Sequence, residues 1–239
     1  MIDVTKCTKC YLCFYACPVE AISLNTESND KRVPTINSER CIECGVCIRI
    51  CPPKAISRSE LYYPYTFKLL SDPALPKITG IPGRGTDEVK TNDVSGRYRR
   101  GEIGLTIDVG RPNVTTTLAD VIKILKALEL AGVELEEENP QSKILEDLKL
   151  GRLRYEDLSR VRLMSMVIEG KTKIENLRKV IEALKEVEKE VNTVFSVGII
   201  CRINDDFTIP CYEILKELNI NVMPFAKVNL GLGRPLITD

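Results

Sequence analysis

The 239-residue chain contains no histidine. That absence excludes Ser-His-Asp and Cys-His catalysis and histidine-ligated metals within the chain. It leaves proton transfer to Asp, Glu, Lys, Tyr, Cys or water. Net charge is missing too. Lys and Arg number 34 and Asp and Glu number 34, so no bulk field favours nucleic acid or an anionic membrane surface. There is no run of about 18 apolar residues, and no membrane span is expected. Met1-Ile2-Asp3-Val4 leads straight to Cys7 with neither a basic n-region nor an apolar h-region, so no signal peptide is expected. Glutamine occurs once, at Gln141, against abundant Lys and Glu, a bias that points towards a thermophilic source. The chain is otherwise of ordinary globular composition, 44% hydrophobic and 28% charged, with a length that fits two domains.

Cysteine is plentiful, and eight of the ten lie in two tight runs. Cys7, Cys10, Cys13 and Cys17 recur 34 residues later as Cys41, Cys44, Cys47 and Cys51. The repeat continues past the cysteines. Cys17-Pro18-Val19-Glu20-Ala21-Ile22 matches Cys51-Pro52-Pro53-Lys54-Ala55-Ile56. Each half therefore reads C-x2-C-x2-C-x3-C-P followed two residues later by Ala-Ile, the bacterial-type iron–sulfur run. Four-cysteine zinc sites use two C-x2-C pairs across a longer loop, and the third close cysteine does not fit them. Runs of this kind indicate metal ligation in a reducing, cytoplasmic compartment rather than a disulfide framework.

On these eight cysteines, residues 1–60 resemble the bacterial-type two-[4Fe–4S], or dicluster, ferredoxin module. The resemblance implies two [4Fe–4S] clusters and electron transfer. It also implies crossed ligation, because the fourth cysteine of each run serves the other cluster. Cys7, Cys10, Cys13 and Cys51 would hold one cube, and Cys41, Cys44, Cys47 and Cys17 the other. Val4, Ile22, Ile36, Ile42, Val46, Ile48 and Ile56 are expected to pack around them. Gly45 follows Cys44 as in the common C-G-x-C variant, whereas Tyr11 stands at the matching position of the first run and is expected to alter solvent access there. Ala21–Leu24 and Arg32–Ile36 read as short strands. Small diffusible ferredoxins are acidic by resemblance, but residues 1–60 carry eight Lys or Arg against seven Asp or Glu. A dedicated oxidoreductase partner is therefore expected rather than steering to many partners.

Residues 61–101 change character. An aromatic patch, Leu61 to Phe67, is expected to cover the cluster domain or a domain junction. Pro73, Pro76, Pro82 and five glycines then break regular structure. The segment reads either as a solvated linker or as an anion-binding loop. In the second case Arg84 and Arg100, with Arg111 and Arg234 elsewhere, would meet a carboxylate or phosphate. Neither a P-loop nor a dinucleotide fingerprint is present.

Residues 102–239 show strand, helix and strand periodicity twice. Expected elements are a strand at Ile103–Val109, a helix capped by Thr115, Thr116 or Thr117 with Leu118, Val121, Ile122, Leu125 and Leu128 on its apolar face, a strand at Leu163–Ile168 with a turn at Glu169-Gly170, a helix near Lys173–Glu190, and a strand at Val194–Ile203. A short helix opens at Pro210 and a last strand covers Asn221–Phe225. The pattern implies an α+β chain: a dicluster domain followed by a two-layer sandwich, faintly similar to ACT-like and other ferredoxin-like folds. Cys201 and Cys211 remain outside the runs. They read as two small buried apolar residues, or as a redox dithiol or ligand-binding pair. Three functions are compatible with the sequence: an electron-transfer protein, an iron–sulfur enzyme component with a small anionic substrate, and a ligand-regulated module.

Overall fold

A computed structural model describes residues 1–26, 32–72, 74–75, 97–111, 114–137 and 139–222. The N-terminal part follows the repeat. Each cysteine run closes into a short helix, α1 (Leu12–Tyr15) and α2 (Val46–Ile50). Between the runs, β1 (Ile22–Thr26) and β2 (Arg32–Ile36) pair antiparallel with Ile22 opposite Ile36. The two ends of the unit meet: Ile2 bridges Ile56, and Asp3 N–H donates to the Ala55 carbonyl at 2.8 Å. Cys13, Ile22 and Ile56 form a small buried cluster joined by Ile2, Ile36 and Ile48.

Val4 does not join it. Residues 4–6 form a turn in which Lys6 and Cys7 N–H groups both donate to the Asp3 carbonyl. The turn throws Val4 outward, 55% exposed, and Ile2 packs in its place.

A 3-10 helix, Tyr65–Ser71, follows. It begins inside the aromatic stretch and ends before Pro73, where regular structure is expected to break. Phe67 belongs to the large core of the C-terminal part.

That core is built on β3 (Glu102–Val109). Its Ile103, Leu105, Ile107 and Val109 alternate onto one face and are all at most 1% exposed. Two strands, β4 (Thr116–Thr117) and, later, β6 (Arg162–Leu163), form a separate pair. Helix α3 (Leu118–Leu130) starts where the Thr117 hydroxyl accepts from Asp120 N–H, a side-chain N-cap. It buries Leu118, Val121, Ile122, Leu125 and Leu128. Strand β5 (Glu134–Leu135) leads to α4 (Pro140–Lys149) and α5 (Tyr155–Ser159). Strand β7 (Met166–Lys173) and a 3-10 turn run into α6 (Leu177–Glu188), whose Leu177, Val180, Ile181, Leu184 and Val187 are buried. Strand β8 (Phe195–Cys201) and α7 (Tyr212–Glu217) complete the described chain. The sheet order is β5-β7-β3-β8, antiparallel throughout.

Two expectations are corrected. Glu169-Gly170 is not a turn but the middle of β7, which pairs from Met166 to Lys173 with β3. Gly170 is required by close approach, since a Cβ there would lie 2.7 Å from the Glu134 carbonyl oxygen on β5. The strand expected at Asn221–Phe225 is absent at Asn221 and Val222, and its remainder lies outside the described residues.

Candidate functional site

The two cysteine runs use the same backbone. Lys9 and Glu43, Tyr11 and Gly45, and Glu20 and Lys54 all have positive φ, between 50° and 70°, and each pair is one repeat apart. Left-handed residues thus flank Cys10 and Cys44 on both sides and curl the chain at each. The left-handed Glu20 and Lys54 reverse the chain after each Cys-Pro. The following Ala N–H then reaches back to the sulfur: Ala21 N to Cys17 Sγ at 3.2 Å, and Ala55 N to Cys51 Sγ at 3.3 Å. Ala21 and Ala55 are each 2% exposed, so the small residue of the Ala-Ile repeat sits where little more than a methyl group fits.

Two cavities result. Cys7, Cys10, Cys13 and Cys51 line one, together with Tyr11, Ile2 and Ile56. Cys17, Cys41, Cys44 and Cys47 line the other, with Ile22, Ile36, Ile42, Val46 and Ile48. Each cavity thus receives three cysteines from one run and one from the other. The first encloses about 20 Å³ and the second about 230 Å³. Tyr11 lines the first where Gly45 lines the second, and its hydroxyl donates to the Arg32 carbonyl at 3.1 Å. Among the described residues no three Cys, Asp or Glu converge tightly enough to share one metal ion.

The exposed and covered sides differ. Cys10 is exposed, and Leu12, Phe14 and Tyr15 nearby in the chain are 46%, 36% and 80% exposed. Around the second cavity, residues missed by the sequence reading lock the loop. Buried Lys68 donates to the Ser38 and Cys41 carbonyls at 2.7 and 2.8 Å. Arg58 spans the Glu43 carbonyl and Asp72, at 2.9 and 2.6 Å. Arg49 joins the Cys44 carbonyl, at 2.6 Å, to Asp72. No periodicity marks these residues, and only the fold shows that Lys68 and Asp72 return to the cysteine loop. Burial pushes the Cys41 thiol up to about 11 and raises Cys13 and Cys47. Burial also lowers Lys68. These thiols resist ionising unless a cation takes the place of water beside them.

The expected anion site does not assemble among the described residues. Arg100 precedes β3 and pairs with Asp205 at 2.9 Å, while Arg111 follows β3 and pairs with Asp108 at 3.1 Å. The strand between them sets the two roughly 25–30 Å apart at ~3.4 Å per residue. Arg84 and Arg234 lie outside the described residues. Cys201 and Cys211 are brought together, with sulfurs 3.6 Å apart.

Among the described residues no helix is long and apolar enough to cross a membrane. No curated protein and no solved structure matches the chain. Residues 6–55 do match the family model of the 4Fe-4S dicluster domain. With two cysteine runs folded on one repeated backbone, the N-terminal part of this chain is a dicluster ferredoxin module.

Proposed function

We propose that this chain holds two [4Fe–4S] clusters and relays electrons to a dedicated oxidoreductase partner. Cys7, Cys10, Cys13 and Cys51 bind one cluster and Cys41, Cys44, Cys47 and Cys17 the other. The observation that carries the reading is the pair of cavities, each lined by three cysteines of one run and the fourth of the other. When bound, such clusters exchange single electrons at potentials set by their hydrogen bonds, charge and exposure. The chain's own residues supply those terms. Ala21 and Ala55 N–H groups stabilise the Cys17 and Cys51 sulfurs as thiolates. Ile22, Ile36, Ile42 and Ile48 give the second cavity an apolar lining, and Lys68, Arg49 and Arg58 place positive charge beside its loop. The exposed Cys10, with Leu12, Phe14 and Tyr15, makes the first cluster the one that meets the partner. Cysteine runs that ligate clusters fit a reducing cytoplasm.

We read residues 102–239 as the docking domain, a two-layer α+β sandwich. Its strand–helix–strand–strand–helix–strand course in sheet order β5-β7-β3-β8 supports ferredoxin-like topology. Residues 1–60 form the cluster domain and 61–101 the connection.

The test is anaerobic purification followed by iron analysis and low-temperature EPR. Wild type should carry about eight irons per chain. Cys51→Ser and Cys17→Ser should each alter the signal of the cluster whose other three cysteines lie in the opposite run. If Cys51→Ser instead disturbs the cluster of Cys41, Cys44 and Cys47, the crossed assignment is wrong. About four irons in wild type would remove one cluster.

A further inference from the structure

Eight cysteines line the two cavities, and the other two face each other. Cys201 ends β8, the edge strand of the sheet, and Cys211 stands just before α7. Their sulfurs are 3.6 Å apart. A disulfide needs about 2.05 Å, so closure asks for an approach of roughly 1.5 Å. The connecting chain is already folded tight. Asn204 N–H donates to the Thr208 carbonyl at 2.9 Å, and Thr208 N–H and hydroxyl both donate to Asp206 at 3.0 and 2.6 Å. Arg100 anchors the same loop through Asp205. The pair is therefore presented by ordered elements on both sides.

We propose that Cys201 and Cys211 form a redox-active dithiol that reduces a disulfide-bearing substrate, with Cys201 as the attacking sulfur and Cys211 as the resolving one. The two sulfurs differ in access. Cys211 is buried, 4% exposed, and Cys201 is half-buried. An incoming disulfide meets Cys201 first. Either sulfur can donate in the 3.6 Å contact, and the burial of Cys211 leaves the more accessible Cys201 as the thiolate, which the contact with Cys211 holds below an ordinary thiol. In the first step the Cys201 thiolate attacks one sulfur of the substrate disulfide. A mixed disulfide forms and the other substrate sulfur leaves as a thiolate. In the second step Cys211 loses its proton to solvent and attacks Cys201. The Cys201–Cys211 disulfide forms and the second substrate thiolate leaves. The cysteine pair has lost two electrons to the substrate disulfide, and the two substrate thiolates take their protons from solvent, into which Cys201 and Cys211 released theirs. The process stands on the geometry of residues 201–211 and does not depend on the number of clusters.

The experiment uses the full iron-loaded chain under anaerobic conditions. It is incubated with glutathione disulfide or with insulin as a protein disulfide, quenched in acid, alkylated under denaturing conditions and digested. Mass analysis then reads residues 201 and 211 directly, whatever the state of the other cysteines. The expected result is loss of alkylation at both positions with a mass two units lower, restored by dithiothreitol. Cys211→Ser should trap the substrate on Cys201. Cys201→Ser should leave Cys211 at least tenfold slower to react. A faster reaction with insulin names a protein substrate, and one with glutathione disulfide names a small one. The proposal is overturned if wild type keeps both thiols alkylatable after either reagent. It is also overturned if Cys211 reacts as fast alone as Cys201 does. Should a serine variant fail to fold, the wild-type result decides.

Discussion

Gly45 and Tyr11 occupy one position of the repeat, and their difference shows how much a single residue can carry. Both are left-handed, with φ of 70° and 59°. At 45, however, Asp72, Arg49 and Arg58 close over the α-carbon. An added Cβ would sit 2.5 Å from Asp72 Oδ2 and 2.9 Å from an Arg49 nitrogen. Gly45→Ala must therefore bear the left-handed penalty of about 1–2 kcal/mol and also push apart an ion-paired group whose carboxylate is buried. It should lower the urea midpoint and, with the clusters held as proposed, deplete iron from the second cavity before the first. Tyr11→Gly should relieve backbone strain in the first run but lose the bond to Arg32. Urea unfolding and iron analysis of the two variants check the contrast. A second prediction belongs to Cys201, whose thiol the Cys211 donors lower to about 7. The reactive form is the thiolate, so its alkylation rate should rise as pH increases through about 7. Cys211→Ala removes the thiol donor and should move that inflection upward, which rapid-quench alkylation measures.

Among the elements, the 3-10 helix Tyr65–Ser71 and the Asp72 that follows it are the piece the sequence concealed. The cysteine runs were legible because iron ligation demands one residue type at fixed spacing. Helices α3 and α6 were legible because their apolar stripes repeat every three to four residues. The segment after Phe67 has neither signal. Its work is done by isolated residues reaching in different directions: Phe67 into the large core, Lys68 to the Cys41 loop, Ser71 accepting from Met164 N–H at 3.0 Å, and Asp72 holding Arg49 and Arg58. Gly170 misled for a related reason. Sequence alone reads glycine as a turn, whereas here it admits the neighbouring strand. Lys68→Met tests the element. It keeps the apolar stem but strips two charge-assisted bonds from the Ser38 and Cys41 carbonyls, each worth roughly 1.5–3 kcal/mol. It should therefore destabilise the chain by a few kcal/mol. It also removes a positive charge beside the second cavity, so the potential of the cluster proposed for that cavity should fall. Denaturant unfolding and EPR-monitored redox titration report the two effects separately.

At the scale of the molecule, the cysteine module and the C-terminal sheet are joined through the same stretch of chain, and one of the joints titrates. Tyr63 donates its hydroxyl to Asp147 on α4 at 2.6 Å, and Arg152 and Lys143 also pair with that carboxylate. The Tyr63 hydrogen bond, then Arg152 and Lys143, hold Asp147 below the usual carboxylate value of 3.8. A carboxylate depressed in the folded state contributes stability that is complete above its unfolded value. That stability is lost as pH falls through the folded one. The joint should therefore hold at neutral pH and release only below about pH 4. Tyr63→Phe removes the largest of these influences. Asp147 should then titrate closer to 3.8, and the acid unfolding limb should begin at higher pH than in wild type. Asp147→Asn should abolish this part of the acid dependence, leaving an unfolding curve flatter below pH 4 but lower on the neutral plateau. Carboxyl-detected NMR titration with acid unfolding of the three proteins distinguishes the outcomes. If wild type and Tyr63→Phe share one acid limb, the Tyr63–Asp147 contact does not couple the aromatic segment to the sheet, and the packing of Tyr65, Phe67 and Leu70 with the Lys68 and Ser71 hydrogen bonds carries the joint among the described residues.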